Sequence, residues 1–414
     1  MKIAILSSGF ISWGGGVDFL KNCTNALSRK SETENLQIYL LIPQESQLII
    51  NIKNQLRPFK KMLVDILNGK RPYYVKMHSI DKQVIINSFS CFKDNVEIIH
   101  YLNSRVGLID ALQRIRADVV LPSIDSLGKE FPYPWIGYLC DFQHKYYPEF
   151  FVDREIENRN KEFTVMLTDA KAVIVNALDV KDDICKYYPE TKTQVYNLPF
   201  APIPSKEWFA NDKNIAELYD LPEKYFMISN QFWIHKSHST AFEALAILQN
   251  KEGIDDYEIV CTGNTHDYRF PNYFNELQEK IAKLGLVNKI RFLGYISKED
   301  QIQIMRNAVG VLQPTLFEGG PGGGATYDAI ALGIPVIVSD IPVNKEIFEE
   351  NILFFQVKSP KDMADKMLTL IRKNENNELI IANAEELIAK GNARLEILGD
   401  RLLEAINCAI NISK

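Results

Sequence analysis

Phe317-Glu318-Gly319-Gly320-Pro321-Gly322-Gly323-Gly324-Ala325-Thr326-Tyr327-Asp328 runs directly into Ala329-Ile330-Ala331-Leu332-Gly333-Ile334-Pro335-Val336-Ile337-Val338-Ser339. An acid opens a glycine loop, the loop feeds a short helix whose first turn holds a second acid, and a buried strand over 335–339 follows at once. Glycines let backbone N–H groups approach a ligand closely, and a helix N-terminus offers unpaired donors and about half a positive charge to a phosphate. Carboxylates touching a phosphate would be repelled by it. Glu318 and Asp328 therefore read as acceptors for hydroxyl groups on either side of an anion. A sugar, a diphosphate and a ribose fit that order, which points to a nucleotide-sugar.

Outward from this loop, strand-like apolar runs alternate with helical segments along the whole chain, the pattern of parallel sheets covered by helices. The strands expected before residue 200 are Lys2–Leu6, Gln37–Leu41, Glu97–Leu102, Val119–Pro122, Trp135–Cys140 and Ala172–Asn176, with helices such as Val17–Arg29 and Gly107–Arg116 between them. Asn197–Asn214 holds three prolines and no periodicity, and reads as a linker. Beyond it the alternation restarts: strand Tyr225–Ser229, helix Ser239–Gln249, strand Tyr257–Thr262, helix Asn272–Lys283, strand Ile290–Leu293, helix Lys298–Asn307 and strand Gly310–Gln313. The expected fold is α/β, two doubly wound Rossmann-like domains facing across a cleft, with ligands beyond the carboxyl ends of the strands.

The acid, glycine loop, second acid, Ala-rich helix and Pro-Val-Ile strand resemble the donor-binding signature of the family 4 (group 1) retaining glycosyltransferases. Here the gap between the acids is two residues longer, and the second acid is Asp where Glu is usual. The resemblance implies a GT-B fold: an acceptor-binding domain over residues 1–198, a nucleotide-sugar-binding domain over 199–392, and a terminal helix over 393–414 that crosses back to the first domain. It also implies roles for single residues. Lys236, five positions after Gln231, matches a lysine that clamps the diphosphate, and Gln231 stands where an arginine is usual. Glu318 would hold sugar hydroxyls, Asp328 the ribose, and Gly319, Gly320, Gly322, Gly323 and Gly324 the phosphates. Gly263, Gly294, Tyr295 and Ile296 follow strands whose ends line the base pocket in relatives. Gly15 and Gly16 sit in a turn that faces the donor phosphate. Asp141 and His144, in Cys140-Asp141-Phe142-Gln143-His144, correspond to acceptor or sugar contacts at the cleft rim, with Cys140 where many relatives carry His. No cofactor and no metal are implied, because the diphosphate has protein donors and no Asp-x-Asp motif occurs.

Composition bounds the other classes. The 414 residues suffice for two or three domains, and 46% hydrophobic and 24% charged residues are those of an ordinary soluble protein. No apolar run reaches the ~18–20 residues of a spanning helix, and the first residues lack a signal-peptide pattern. The six cysteines are scattered without a Cys-x-x-Cys, which suits reduced thiols in the cytoplasm. Net charge is −6, with +4 in residues 1–150 and −10 after them, too acidic for a general nucleic-acid binder. Within the basic part, Lys53, Arg57, Lys60, Lys61, Lys70, Arg71 and Lys76 surround aromatic and aliphatic residues. Residues 48–77 are thus a candidate contact with an anionic membrane surface, or a solvated helix face. The expected partners are a UDP- or GDP-sugar and a sugar or lipid-linked acceptor, as in cell-surface polysaccharide or glycolipid assembly. The alternatives are a nucleotide-sugar epimerase of the same fold and a catalytically decayed nucleotide-sugar-binding protein.

Overall fold

The computed structural model describes residues 1–11, 14–45, 89, 95–210, 214–379 and 381–412. Residues 48–77, the candidate membrane-surface stretch, lie outside them. In the first half β1 (Lys2–Leu6), β2 (Gln37–Gln44), β3 (Val96–Leu102), β4 (Val119–Ser123), β5 (Trp135–Tyr138), β6 (Ala172–Val175) and β7 (Gln194–Asn197) form one sheet, ordered β3-β2-β1-β4-β5-β6-β7. In the second half β8 (Tyr225–Ser229), β9 (Glu258–Thr262), β10 (Ile290–Gly294), β11 (Gly310–Gln313), β12 (Val336–Ser339) and β13 (Ile352–Phe355) are ordered β10-β9-β8-β11-β12-β13. Both sheets are parallel. Each starts in its middle, winds to one edge and returns to fill the other, so strand order reverses between β1 and β4 and again between β8 and β11.

Strands covered on both faces read as unbroken apolar runs, and β4 and β12 are buried throughout. The edge strands β7 and β13 are not among those expected from sequence. Each has only four residues and is partly exposed, too short for periodicity to separate it from a loop. Glycines 14 to 16, expected as a turn, form instead the first turn of helix α1 (Gly14–Lys30). Helix α2 (Arg105–Ile115) is capped by Ser104, whose side chain accepts from the Gly107 N–H.

The terminal helix starts earlier than its expected first residue, 393. It is one 28-residue helix, here α10 (Ala384–Asn411), capped by the Asn383 side chain accepting from Glu386 N–H. Gly391 reads as a breaker in sequence, because glycine costs about 1 kcal/mol in a helix interior. In the fold a Cβ there would stand 2.7 Å from Pro204, so the glycine lets the helix pass close to the linker. Leu387 lies beside Gly333 of the second domain, whereas Leu395, Leu398, Leu402 and Ile406 join Ile3, Leu20 and Ala26 in the core of the first. The linker is fastened on both sides. Arg401 Nε donates to Asn197 O and Arg394 Nη1 to Pro202 O, each at 3.0 Å, while Gln303 Nε2 donates to Ala210 O at 2.8 Å.

Candidate donor cleft between the two sheets

The carboxyl ends of β8 and β11 carry the polar residues of the second domain. After β8 the chain makes a loop and a single 3-10 turn (Ile234–Lys236) before α5 (His238–Glu252). After β11 it makes the glycine loop before α8 (Gly323–Ala331). The two loops are tied together, with Leu316 N–H donating to His235 O at 2.7 Å. Lys236 Nζ meets Glu318 Oε1 at 2.5 Å, Gln313 Nε2 donates to the same oxygen at 3.0 Å, and Asn230 Nδ2 donates to Gln313 Oε1 at 2.7 Å. The lysine and glutamate side chains are only 11% and 9% exposed. Lys236 is thus no surface lysine, and it is bonded to the acid expected to hold the sugar.

The backbone shows why glycines are needed here. Gly322 and Gly323 have φ of +69° and +66°, and Gly322 N–H is held at 2.8 Å by Asn344 Oδ1. A Cβ on Gly319 would stand 2.3 Å from the Cys140 carbonyl oxygen, because the loop lies directly on the first domain. Beside Gly324, by contrast, a Cβ would meet nothing within 4 Å, so the N-terminal turn of α8 has open space next to it.

Asp328, in the second turn of α8 and not the first, is buried and holds a partner that sequence reading missed. Lys298, first residue of α7 (Lys298–Arg306), reaches Asp328 Oδ2 at 2.6 Å and Asp18 Oδ2 of α1 at 3.2 Å; Gln301 adds a bond to Asp328 at 3.2 Å. Burial pushes the Asp328 carboxyl up to about 6, against the pull of Lys298. Burial lowers the Lys298 ammonium, but the Asp328 and Asp18 charges outweigh it and raise it overall. A lysine opening a helix after Ser297 reads as an ordinary surface residue, and only the fold places it beside a buried carboxylate.

Of the four base-pocket candidates, Gly263 (φ +128°) has a structural reason, since a Cβ would lie 2.1 Å from Asn230 O. Gly263 N–H donates to Gly294 O at 2.8 Å, which places the two strand ends side by side. Tyr295 is 66% exposed next to them, and Ile296 is half-buried against the core. Gln231 Oε1 accepts from Asn264 N–H at 3.1 Å and braces the loop after β9. Gly15 is exposed and Gly16 buried at the start of α1, the helix that brings Asp18 to Lys298.

Asp141 and His144 do not both face the cleft. His144 is 1% exposed; its Nδ1 accepts from Arg159 Nε at 3.2 Å, and its Nε2 faces Asn160 Oδ1 at 3.0 Å. Burial, then the Arg159 charge, lowers its pKa. With both nitrogens engaged by protein partners, His144 braces the rim here, where a sugar or acceptor contact was expected of it. Asp141 Oδ1 accepts from Arg159 Nη2 and Gln143 N–H at 2.7 and 2.8 Å, and its Cβ lies 3.0 Å from where a Gly319 Cβ would be. Arg159 lies on α3 (Asp153–Asp169), outside the Asp141 motif, and no sequence signal marked it.

The rest of the contact between the domains is aromatic and cap-like. Phe317 packs on Tyr146 and Tyr147, and Tyr147 OH donates to Leu316 O at 3.2 Å. Glu346 of the second domain accepts from the Leu178 and Asp179 N–H groups at 2.8 and 2.7 Å, capping α4 (Leu178–Tyr187) of the first.

Similarity to known proteins agrees with this layout. Residues 211–387 match the family model described as glycosyl transferases group 1. This part of the chain is similar to that family. The O-antigen chain mannosyltransferase RfbU of Salmonella typhimurium is 28% identical over 218 residues, 52% of this chain and 54% of that protein. The chain spans about half the length of that relative and less of the other curated relatives it matches. Among solved structures, Anabaena HepE in complex with UDP and glucose aligns over 98% of this chain and 99% of its own, with a TM-score of 0.58 at 15% identity. A sucrose-phosphate synthase from Thermosynechococcus elongatus aligns over 100% and 97%, with a TM-score of 0.60 at 12% identity. At such identities the likeness concerns the fold, which is GT-B, and the residues that match the group 1 model fall in its second half.

Two histidines of that domain set a pH dependence. His238 is fully buried and stacked 4.2 Å from Phe232, and His235 is buried beside it. Burial pushes His238 down to about 3 and His235 well below its ordinary range, and the Lys236 charge adds to both shifts. The unfolded chain takes up these protons near pH 6.5 and the folded chain does not. Stability is therefore full above that pH and is lost as pH falls toward 3. For His238 alone the loss at pH 5 is about 2 kcal/mol, at ~1.36 kcal/mol per pH unit. Urea unfolding at pH 7 and pH 5 should show it, and His238→Phe should shrink the difference by about that amount. An unchanged difference would acquit the imidazole.

Proposed function

We propose that the protein is a retaining glycosyltransferase of hexosyl type, moving a sugar from a UDP- or GDP-sugar to an acceptor hydroxyl in cell-surface polysaccharide or glycolipid assembly. The observation that carries this reading is the Lys236–Glu318 pair at the mouth of the glycine loop. The anomeric C–O bond breaks and its electron pair goes to the diphosphate. Lys236 and the first N–H groups of α8 sit where that growing charge can be stabilised, an electrostatic contribution of the oxyanion-hole kind. Glu318 then exchanges its lysine for sugar hydroxyls, and Asp328 is the ribose acceptor. The acceptor oxygen bonds to the anomeric carbon on the face the diphosphate leaves, and its proton passes to the departing phosphate. With Lys236 available as the cation, the reading needs no metal and no cofactor. RfbU, an O-antigen chain mannosyltransferase, supports polysaccharide as the product class, and HepE, solved with UDP and glucose, supports a nucleotide donor. The reaction belongs in the cytoplasm. Contact with a membrane through residues 48–77 remains part of the proposal, supported by sequence alone.

The test follows release of nucleoside diphosphate from UDP-glucose, UDP-galactose and GDP-mannose, with and without acceptor glycosides. Acceptor-stimulated release with the donor's anomeric configuration kept is the expected result. Acceptor-independent conversion of the donor sugar would favour an epimerase instead. Calorimetry with bare UDP or GDP separates the two acids. Asp328→Ala should raise the dissociation constant by ~10–100-fold, the equivalent of one hydrogen bond to a charged group. Glu318→Gln should leave it nearly unchanged. The reverse order would overturn the assignment.

A further inference from the structure

Lys298 stands at the first position of α7, directly after Ser297, whose side chain caps the helix by accepting from Asp300 N–H. A cation there is opposed by the helix dipole, by ~0.3–1 kcal/mol at an exposed site. Two other helices offset that opposition. The ammonium meets Asp328 Oδ2 of α8 at 2.6 Å and Asp18 Oδ2 of α1, in the first domain, at 3.2 Å. It also lies 5.6 Å over the ring of Trp208, in the linker turn Lys206–Phe209. One side chain thus joins both domains and the linker, beside the acid that reads as the ribose acceptor. The Asp328 side chain is nearly buried, whereas that of Asp18 is half exposed.

The bonds to Asp328 are one-sided. Lys298 and the Gln301 amide both donate to Oδ2, and among the described residues none donates to Oδ1, which leaves that oxygen for a ligand hydroxyl. A hydroxyl donating to a carboxylate makes a charge-assisted bond, roughly twice as strong as one to a neutral acceptor. The hold on a ribose therefore follows the charge of Asp328. Burial disfavours that charge most. Lys298 from α7 favours it, Asp18 from α1 disfavours it, and the Gln301 bond favours it, which together leave the carboxyl at about 6. The lysine in turn is shared, because Asp18 draws on the same ammonium from the other domain.

We propose that Lys298 is a positioning residue of the nucleotide site: it keeps Asp328 charged and turned toward the ribose hydroxyls, while Asp18 of the first domain competes for it. The proposal rests on the transferase reading for the nucleotide and on the three-charge cluster for the lysine. Calorimetry on the full chain from pH 5.5 to 8 tests it, with UDP-glucose and GDP-mannose as probes and no acceptor. Their diphosphates take up no proton in that range. Affinity for the unmodified protein should be level above pH 7 and fall toward pH 5.5, as Asp328 loses its charge. Lys298→Met should move that fall upward by about one to three pH units. Affinity at pH 7 then drops by ~3–10-fold, the difference between a charged and a neutral acceptor, and partly returns at pH 8. Asp18→Asn should move the fall downward, so that binding at pH 5.5 is tighter than in the unmodified protein. Asp183, also near 6, lies at the Tyr146 contact and acts equally in all three proteins. A loss in Lys298→Met that is equal at every pH, no loss at all, or shifts of the same sign in both variants would overturn the proposal while leaving the transferase reading intact. Silence from both nucleotide-sugars with the unmodified protein would sink that reading and this proposal with it.

Discussion

Lys236→Ala should lower turnover of the nucleotide-sugar by about one to two orders of magnitude. The lysine is bonded to Glu318, the acid that opens the glycine loop, and losing one charge-assisted contact is worth ~1.5–3 kcal/mol. The fold adds a second effect. Glu318, nearly buried, would keep only the Gln313 amide as partner among the described residues. A buried charge stripped of its counter-ion destabilises by ~3–5 kcal/mol, so the melting temperature should fall as well. The double variant Lys236→Met/Glu318→Gln removes both charges together and should recover most of that stability while staying inactive. Thermal denaturation and diphosphate release, measured on the same three proteins, separate the roles. Recovery of turnover along with stability would mean that the pair serves the fold alone.

Gly319→Ala should reduce turnover by ~10²-fold, the scale expected when a mutation shifts reacting groups by about 1 Å. Its φ is not in the left-handed region, so the reason is steric. The added Cβ would stand 2.3 Å from the Cys140 carbonyl oxygen, a backbone atom of the other domain. Either the glycine loop retreats from the first domain or the domains part. Affinity for bare UDP should stay close to the unmodified value, because Lys298, Asp328 and the ends of β9 and β10 are not displaced. Small-angle scattering should report a larger radius of gyration. Unimpaired turnover with unchanged scattering would show that the domains do not need this contact.

Both experiments probe features of different visibility in the sequence. The glycine loop and both acids could be named without coordinates, because backbone approach to an anion needs glycine, and Lys236 could be named from the family resemblance. The pairing of these groups could not. Lys236 with Glu318 spans 82 positions and Lys298 with Asp18 spans 280, distances that only strand order brings together. Arg159 is a similar case. It fixes Asp141 and His144 from a helix that begins after the motif ends, and it turned an expected ligand contact into a brace.

By itself the sequence determined the two parallel sheets, since strands buried on both faces must be continuous apolar runs, and the place of the glycine loop after β11. The tertiary structure alone decided which charge answers which. It also decided that α10 begins on the second domain and ends in the core of the first, and that Lys298 is shared by carboxylates of both domains. Local composition governs what an element is and which face it hides. Ion pairs and domain contacts depend on how elements distant in the chain are set side by side, and no local pattern carries that information.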